Sequence, residues 1–175
     1  MTLIAVTGAN GEVGRRVVAL LTAAGAEHRL IVRDPARAPD GAEIRVASGY
    51  GALDEMRAGF EGATTAFLIP ASESADRVEQ HKTAVDAALA SGVERLVYLS
   101  FLNADPDATF TLARDHWATE EHVRATGMAW TFLRMNLYMD FIPNLVGADG
   151  VIRGPSPAGP RITPSAPTRF GMKSM

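Results

Sequence analysis

The residues best suited to chemistry lie near the start of the chain. Thr7-Gly8-Ala9-Asn10-Gly11-Glu12-Val13-Gly14 carries the spacing G-x-x-G-x-x-G between an apolar run and an amphipathic helical pattern. Each glycine has its own task in such a turn. Gly8 lets the chain reverse tightly, Gly11 removes a side chain where backbone must approach a ligand, and Gly14 lets the helix pack closely on the strand. Main-chain N–H groups around Asn10, Gly11, Glu12 and Val13 then face outward at a helix N-terminus, where the helix dipole favours an anion. A plain structural turn would carry the same three glycines. The setting between strand and helix is what favours a pyrophosphate bridge.

A second group stands where the next strand ends, at Val32-Arg33-Asp34-Pro35. An acidic residue there pairs with the ribose hydroxyls of NAD, whereas arginine accommodates the 2′-phosphate of NADP. Arg33 holds the expected position, Arg37 lies one turn on, and a guanidinium offers a fork of donors that suits phosphate. Asp34 supports NAD if the register slips by one residue. NADP is therefore expected, with NAD left open. Farther along, His116 and Glu120 are spaced i, i+4 and share a helix face. His116, with an unperturbed pKa of about 6.5, could donate a proton or a hydrogen bond. The alternative is a surface histidine paired with Glu120. Ser100, Asn103 and Asn136 offer polar groups to a pocket or simply satisfy strand ends. Pro70 is either a rigid turn pressed on a ligand or a plain strand terminator.

These residues need elements to hold them. Apolar, β-rich runs at residues 3–7, 29–33, 43–47, 64–69, 95–100 and 130–134 alternate with helical patterns. Val13, Val17, Val18, Leu20 and Leu21 form one apolar helix face. Val78, Val85, Ala88 and Leu89 form another, closed by Ser91-Gly92. A third runs through His116, Trp117 and Val123 to Gly127, and Leu137, Phe141 and Leu145 suggest a last one, interrupted by Pro143. The alternation implies parallel β-α-β units with right-handed crossovers, so the expected fold is α/β, a Rossmann-type doubly wound parallel sheet. The continuously apolar runs 65–69 and 96–99 imply helices on both faces of that sheet. Asp54-Glu55 reads as the opening of a short helix, where acidic residues complement the dipole. His81 reads as a helix contact, and no histidine or carboxylate stands at metal-ligand spacing from His28. Trp130, Phe132 and Tyr138 read as core.

Bulk properties narrow the classes. The chain has 175 residues, enough for one domain with a real core, and its 47% hydrophobic and 21% charged content is that of a soluble globular protein. A net charge of −3 provides no basic field for nucleic acid. Cysteine is absent, which excludes disulfides and thiolate chemistry and suits a reducing, cytoplasmic setting. No apolar run approaches the roughly 18 residues of a membrane helix. Residues 155–175 hold five of the ten prolines and no sustained period, so the expected division is residues 1–154 as the nucleotide-binding domain and 155–175 as an irregular tail.

Taken together, the motifs resemble the NmrA-like branch of the atypical short-chain dehydrogenase/reductases, and within it most closely the type-2 NAD(P)H:quinone oxidoreductases. The matching residues are Thr7 to Arg15, Val32-Arg33-Asp34-Pro35, His81 with Ala87-Ala88 and Ser91-Gly92-Val93, Tyr98-Leu99-Ser100, and Leu133-Arg134-Met135-Asn136. The resemblance covers about residues 2–152. It implies a nicotinamide lying near Ser100 and the loop after Ile69, beside Pro70, and a C-terminal part that completes a substrate pocket. The tail after Gly154 does not look like that part, and is read as truncated or altered in reading frame. Ser48-Gly49-Tyr50 also departs, since relatives usually carry an acidic residue near the adenine. Tyr50 could stack on the base instead, or lie at the surface. Classical short-chain dehydrogenases use Tyr-x-x-x-Lys, the tyrosine as proton donor and the lysine to lower its pKa, and His116-Trp117-Ala118-Thr119-Glu120 stands in the comparable place. The catalytic candidates are thus Ser100, His116 and Asn136. Three readings follow: hydride transfer from NAD(P)H to a quinone or similar small electron acceptor, an NAD(P)-binding redox sensor without turnover, or an incomplete, inactive relative. A homodimer is left open.

Overall fold

The alternation of short apolar runs with helical patterns becomes a regular β-α succession in the computed structural model, which describes residues 2–39, 41–136, 138, 139, 143, 146 and 150. In chain order the elements are β1 (Ile4–Thr7), α1 (Glu12–Ala23), β2 (His28–Val32), β3 (Glu43–Val46), α2 (Leu53–Phe60), β4 (Thr65–Leu68), α3 (Arg77–Ala90), β5 (Arg95–Phe101), α4 (Thr111–Ala125) and β6 (Ala129–Met135). A single 3-10 turn, Pro35–Arg37, links β2 to β3. All six strands pair parallel in the order β3-β2-β1-β4-β5-β6. Each strand falls within a residue or two of the run that the sequence marks for it.

The order reverses direction between β1 and β4. The chain steps outward from β1 to β3, then crosses back to lay β4 on the other side of β1. Loops leaving the C-terminal ends of β1 and β4 therefore diverge and leave a crevice between them, the place where open parallel sheets bind ligands. Gly8 follows β1 and Ile69 follows β4, so the two motifs meet at that crevice.

Two apolar layers hold the sheet. On one face Met56 and Phe60 of α2, Ala84, Val85 and Ala88 of α3 and Val123 of α4 pack on Ala5, Leu68, Leu96 and Tyr98. On the other, Val18 of α1 packs on Val6, Leu30 and Val32. Helices thus lie on both faces as expected, and the second layer is the smaller. Leu20, placed in the apolar face of α1 by periodicity, is 70% exposed. With Ile4, Val17, Leu21, Phe67 and Val97 it lines an apolar groove of about 330 Å³. Among the described residues α1 is the only helix on that face, and it reaches no farther across the sheet. Trp130, read as core, is 43% exposed because β6 ends the described sheet. Its ring stacks on Phe132 at 4.4 Å, with the Arg124 guanidinium over both.

The chain forms two compact units, residues 1–136 and 137–175. The expected boundary near Gly154, the tail and the suggested helix through Leu137, Phe141 and Leu145 lie outside the described residues. No described helix is long and apolar enough to cross a membrane.

Candidate functional site

The phosphate loop has the geometry its glycines imply. Gly8 adopts φ 62°, a left-handed conformation that side chains disfavour. A Cβ on Gly14 would stand 2.7 Å from the Ala9 Cα and collide with the Gly8 carbonyl, so only glycine lets α1 start this close to the turn. Gly11 is the N-cap of α1 and supplies no side chain to bond the first amides of the helix. Those amides, of Glu12 and Val13 among others, are left for an outside partner. Asn10 ties the loop to the end of β2 by donating from Nδ2 to the Asp34 carbonyl at 3.1 Å. Its Oδ1 is buried with no hydrogen-bond partner among the described residues, an acceptor that a ligand hydroxyl would satisfy.

Strand β2 ends at Val32, so Arg33 is the first residue beyond it and lies exposed, as does Arg37. The Asp34 carboxylate accepts from the Ala36 N–H at 3.0 Å and caps the 3-10 turn.

Tyr50 sits beneath the Gly8 turn rather than at the surface. Its hydroxyl donates to the Ile69 carbonyl at 2.5 Å and lies 2.8 Å from Thr7 Oγ1. Thr7 Oγ1 in turn accepts from the Ile69 N–H at 3.0 Å. These bonds join the ends of β1 and β4 below the crevice. Burial pushes the Tyr50 pKa up to about 12, against the Thr7 hydrogen bond and the Arg33 charge, which both lower it.

The second cluster lies at the C-terminal end of β5. Ser100, 3% exposed, donates from Oγ to Glu120 Oε1 at 2.5 Å. Glu120 is fully buried, and Arg134 grips both its oxygens at 3.0 and 2.6 Å while Arg124 adds a third bond at 3.0 Å. Burial raises the Glu120 pKa, but the hydrogen bonds from Arg134 and Ser100 and the charges of Arg134 and Arg124 outweigh it and hold it below the ordinary value. An ionised carboxylate only accepts, so the single Ser100 proton must point into it.

His116 is buried, not a surface partner of Glu120. Arg77 donates to its Nε2 at 3.2 Å, which leaves the ring proton on Nδ1, 2.8 Å from the Tyr98 hydroxyl. Burial and the Arg77 charge lower its pKa to about 4, with Glu120 opposing. His81 is buried too, accepting at Nε2 from the Ala71 N–H at 2.9 Å and facing Thr119 Oγ1 with Nδ1 at 2.9 Å. Burial, then the charges of Arg77 and His116, bring its pKa to about 3. Asn136 is exposed just past β6, and Asn103 turns the chain after β5 at φ 59°. Pro70 lies between Ile69 and Ala71, both held by hydrogen bonds. No group of the described histidines and carboxylates could hold a metal ion.

The structure thus gathers Gly8, Tyr50 and Ile69 at the crevice, ties Asn10 across to Asp34, and joins Ser100, Glu120 and Arg134 at the end of β5. Sequence reading missed Arg77, Tyr98, Thr7 and Arg134 as members of these clusters. One signal was available for Arg77: a cation at the first position of a helix opposes the dipole, and needs a tertiary reason to be there.

A family model described as NAD(P)H-binding matches residues 8–151. Quinone oxidoreductase 2 of Escherichia coli is 34% identical over 144 residues, covering 79% of this chain and 50% of that protein. Among solved structures, the Citrobacter triphenylmethane reductase complexed with NADP(H) superposes with a TM-score of 0.74 at 32% identity, over 81% of this chain and 51% of that one. An NADPH-dependent quinone oxidoreductase from Escherichia coli complexed with NADPH gives 0.72 at 32% identity, over 82% and 53%. The chain spans about half the length of these relatives.

Proposed function

Since this chain belongs to the NAD(P)H-binding family, we propose that it binds NADPH at the β1–β4 crevice and serves hydride transfer to a quinone or similar small electron acceptor. The uncapped start of α1, set against the Gly8 turn by Gly14, supports the seat of the pyrophosphate. Arg33 and Arg37 would hold the 2′-phosphate, and Asn10 would meet a ribose hydroxyl. The relatives solved with NADP(H) and NADPH support the same preference. When bound, NADPH supplies the hydride, and the protein supplies proximity and orientation.

One observation carries the reading of the reaction: Ser100 spends its only proton on Glu120. Its lone pairs can accept hydrogen bonds, from a carboxamide N–H for example, but the residue gives no proton to a developing oxyanion. His116 is neutral at ordinary pH, and its ring proton faces Tyr98. Both side chains orient the site without acting as acids. An acceptor whose reduced form takes protons readily from water, such as a quinone, fits a cleft of this kind. Relatives whose names state a quinone or a triphenylmethane as acceptor support an electrophile of that class. The same committed protons also favour a second reading, an NADPH-binding regulator without turnover.

Turnover decides between them. NADPH oxidation followed with a simple benzoquinone is expected to be saturable in quinone. Tight NADPH binding with no oxidation above the uncatalysed rate would support the regulator.

A further inference from the structure

We propose that Arg77 and His81 act as positioning residues that clamp the segment Ile69-Pro70-Ala71 against the cofactor crevice and tie it to the His116 side of the site. This rests on the reading of the crevice as the NADPH site. The segment is pinned at both ends. At one end, Ile69 is held through its carbonyl by Tyr50 and through its N–H by Thr7. At the other, Ala71 gives its N–H to His81 Nε2 at 2.9 Å and receives Arg77 Nε at its carbonyl, also at 2.9 Å. Arg77 and His81 are spaced i, i+4 and face the loop from one side of α3. Pro70 has no N–H and a fixed φ, so the three residues have little freedom left. The Ile69 side chain packs closely on Gly8, its Cβ 3.0 Å from where a Gly8 Cβ would stand, so the segment forms one wall of the crevice.

Arg77 reaches further. Its Nη1 donates to Asp115 at 3.2 Å and its Nη2 to His116 Nε2 at 3.2 Å, both on α4. The guanidinium is almost wholly buried at the N-terminus of α3, where the dipole opposes it. Burying a cation costs free energy that an apolar side chain would not. What an apolar side chain lacks is three donors directed at two separate elements, and Lys lacks the planar fork. The guanidinium therefore sets two features at once: the place of the loop after β4 and the Nδ1–H tautomer of His116.

The first test needs no variant. In amide hydrogen exchange of the intact protein, the Ala71 N–H should be protected at the level of β4 amides, although it lies in a loop. Exchange as fast as at Ser72 to Asp76 would overturn the clamp. Arg77→Met and the charge-keeping Arg77→Lys should then lower kcat with NADPH and benzoquinone by about tenfold or more, while the NADPH Kd stays within about threefold. Lys should fail to rescue. Asp115→Asn, which leaves the guanidinium in place, should give a smaller loss in the same direction and serves if the Arg77 variants do not fold. Folded variants with the parent kcat would overturn the proposal, as would a parallel fall of kcat, NADPH affinity and melting temperature. Failure of the parent protein to bind NADPH would instead remove the functional reading and leave the exchange result standing.

Discussion

Arg33 and Asp34 stand side by side, yet the fold assigns them different work. Asp34 is tied to the Ala36 amide, and Arg33 is left exposed near the crevice. Arg33→Asp should weaken NADPH binding about tenfold or more and narrow the gap to NADH, because it removes a charge-assisted contact to the 2′-phosphate and adds a repulsive one. Parallel fluorescence titrations check this, and equal NADPH affinity in both proteins would contradict it. Protons follow the same logic. A general acid contributes about 10²–10⁴-fold to a rate. Ser100 and His116 have their protons committed, so Ser100→Ala and His116→Ala should each slow quinone reduction by less than about tenfold. A larger loss confined to kcat would return one of them to the role of acid. Little of this was legible beforehand. The sequence marks Ser100, His116 and Glu120 as polar groups near a strand end and on one helix face. Which proton points where depends on Arg77 and Arg134, brought in from α3 and β6 by tertiary packing.

At the scale of elements, the strand-to-helix turn carries the site. Gly14→Ala inserts a methyl group against the Ala9 backbone and the Gly8 carbonyl, neither of which can rotate away. The variant should lose about 1–3 kcal/mol of stability, read from urea denaturation, and bind NADPH poorly. Gly11→Val differs. A Cβ there meets only the Gly8 carbonyl at 3.3 Å, so the fold should survive while the side chain obstructs the pyrophosphate. Separation of the two effects would show that these glycines act at different levels. The turn and all six strands were readable because they depend on local pattern: glycine spacing, β-rich runs and helix stops at Gly92 and Gly127. The cover of the sheet was not readable in the same way. Periodicity put Leu20 in an apolar face, but whether that face is covered depends on which other elements cross the sheet, and α1 alone lies there among the described residues.

For the molecule as a whole, the two buried histidines join α3, α4 and β5 and make stability depend on pH. Their folded pKa values, about 3 for His81 and about 4 for His116, lie below the unfolded value of about 6.5. The unfolded chain therefore takes up protons first as pH falls. Stability should be fully present above pH 6.5 and decline from there toward pH 4, by about 1.4 kcal/mol per pH unit for each histidine. Carboxylates such as Glu120, whose pKa is depressed, lose their contribution only lower, below the ordinary Glu range. Melting curves from pH 7 to 4 should show the decline, and His116→Gln should make it shallower. A flat profile down to pH 5 would mean that the histidines are not buried as described.

The central claim is that the amides opening α1 seat a dinucleotide whose second phosphate group meets Arg33. Calorimetric titration with NADPH and NADH tests it most directly. Saturable binding of NADPH, tighter than that of NADH and lost in a folded Gly11→Val variant, is the expected result. A folded protein that gives no saturable heat with either coenzyme would contradict the account.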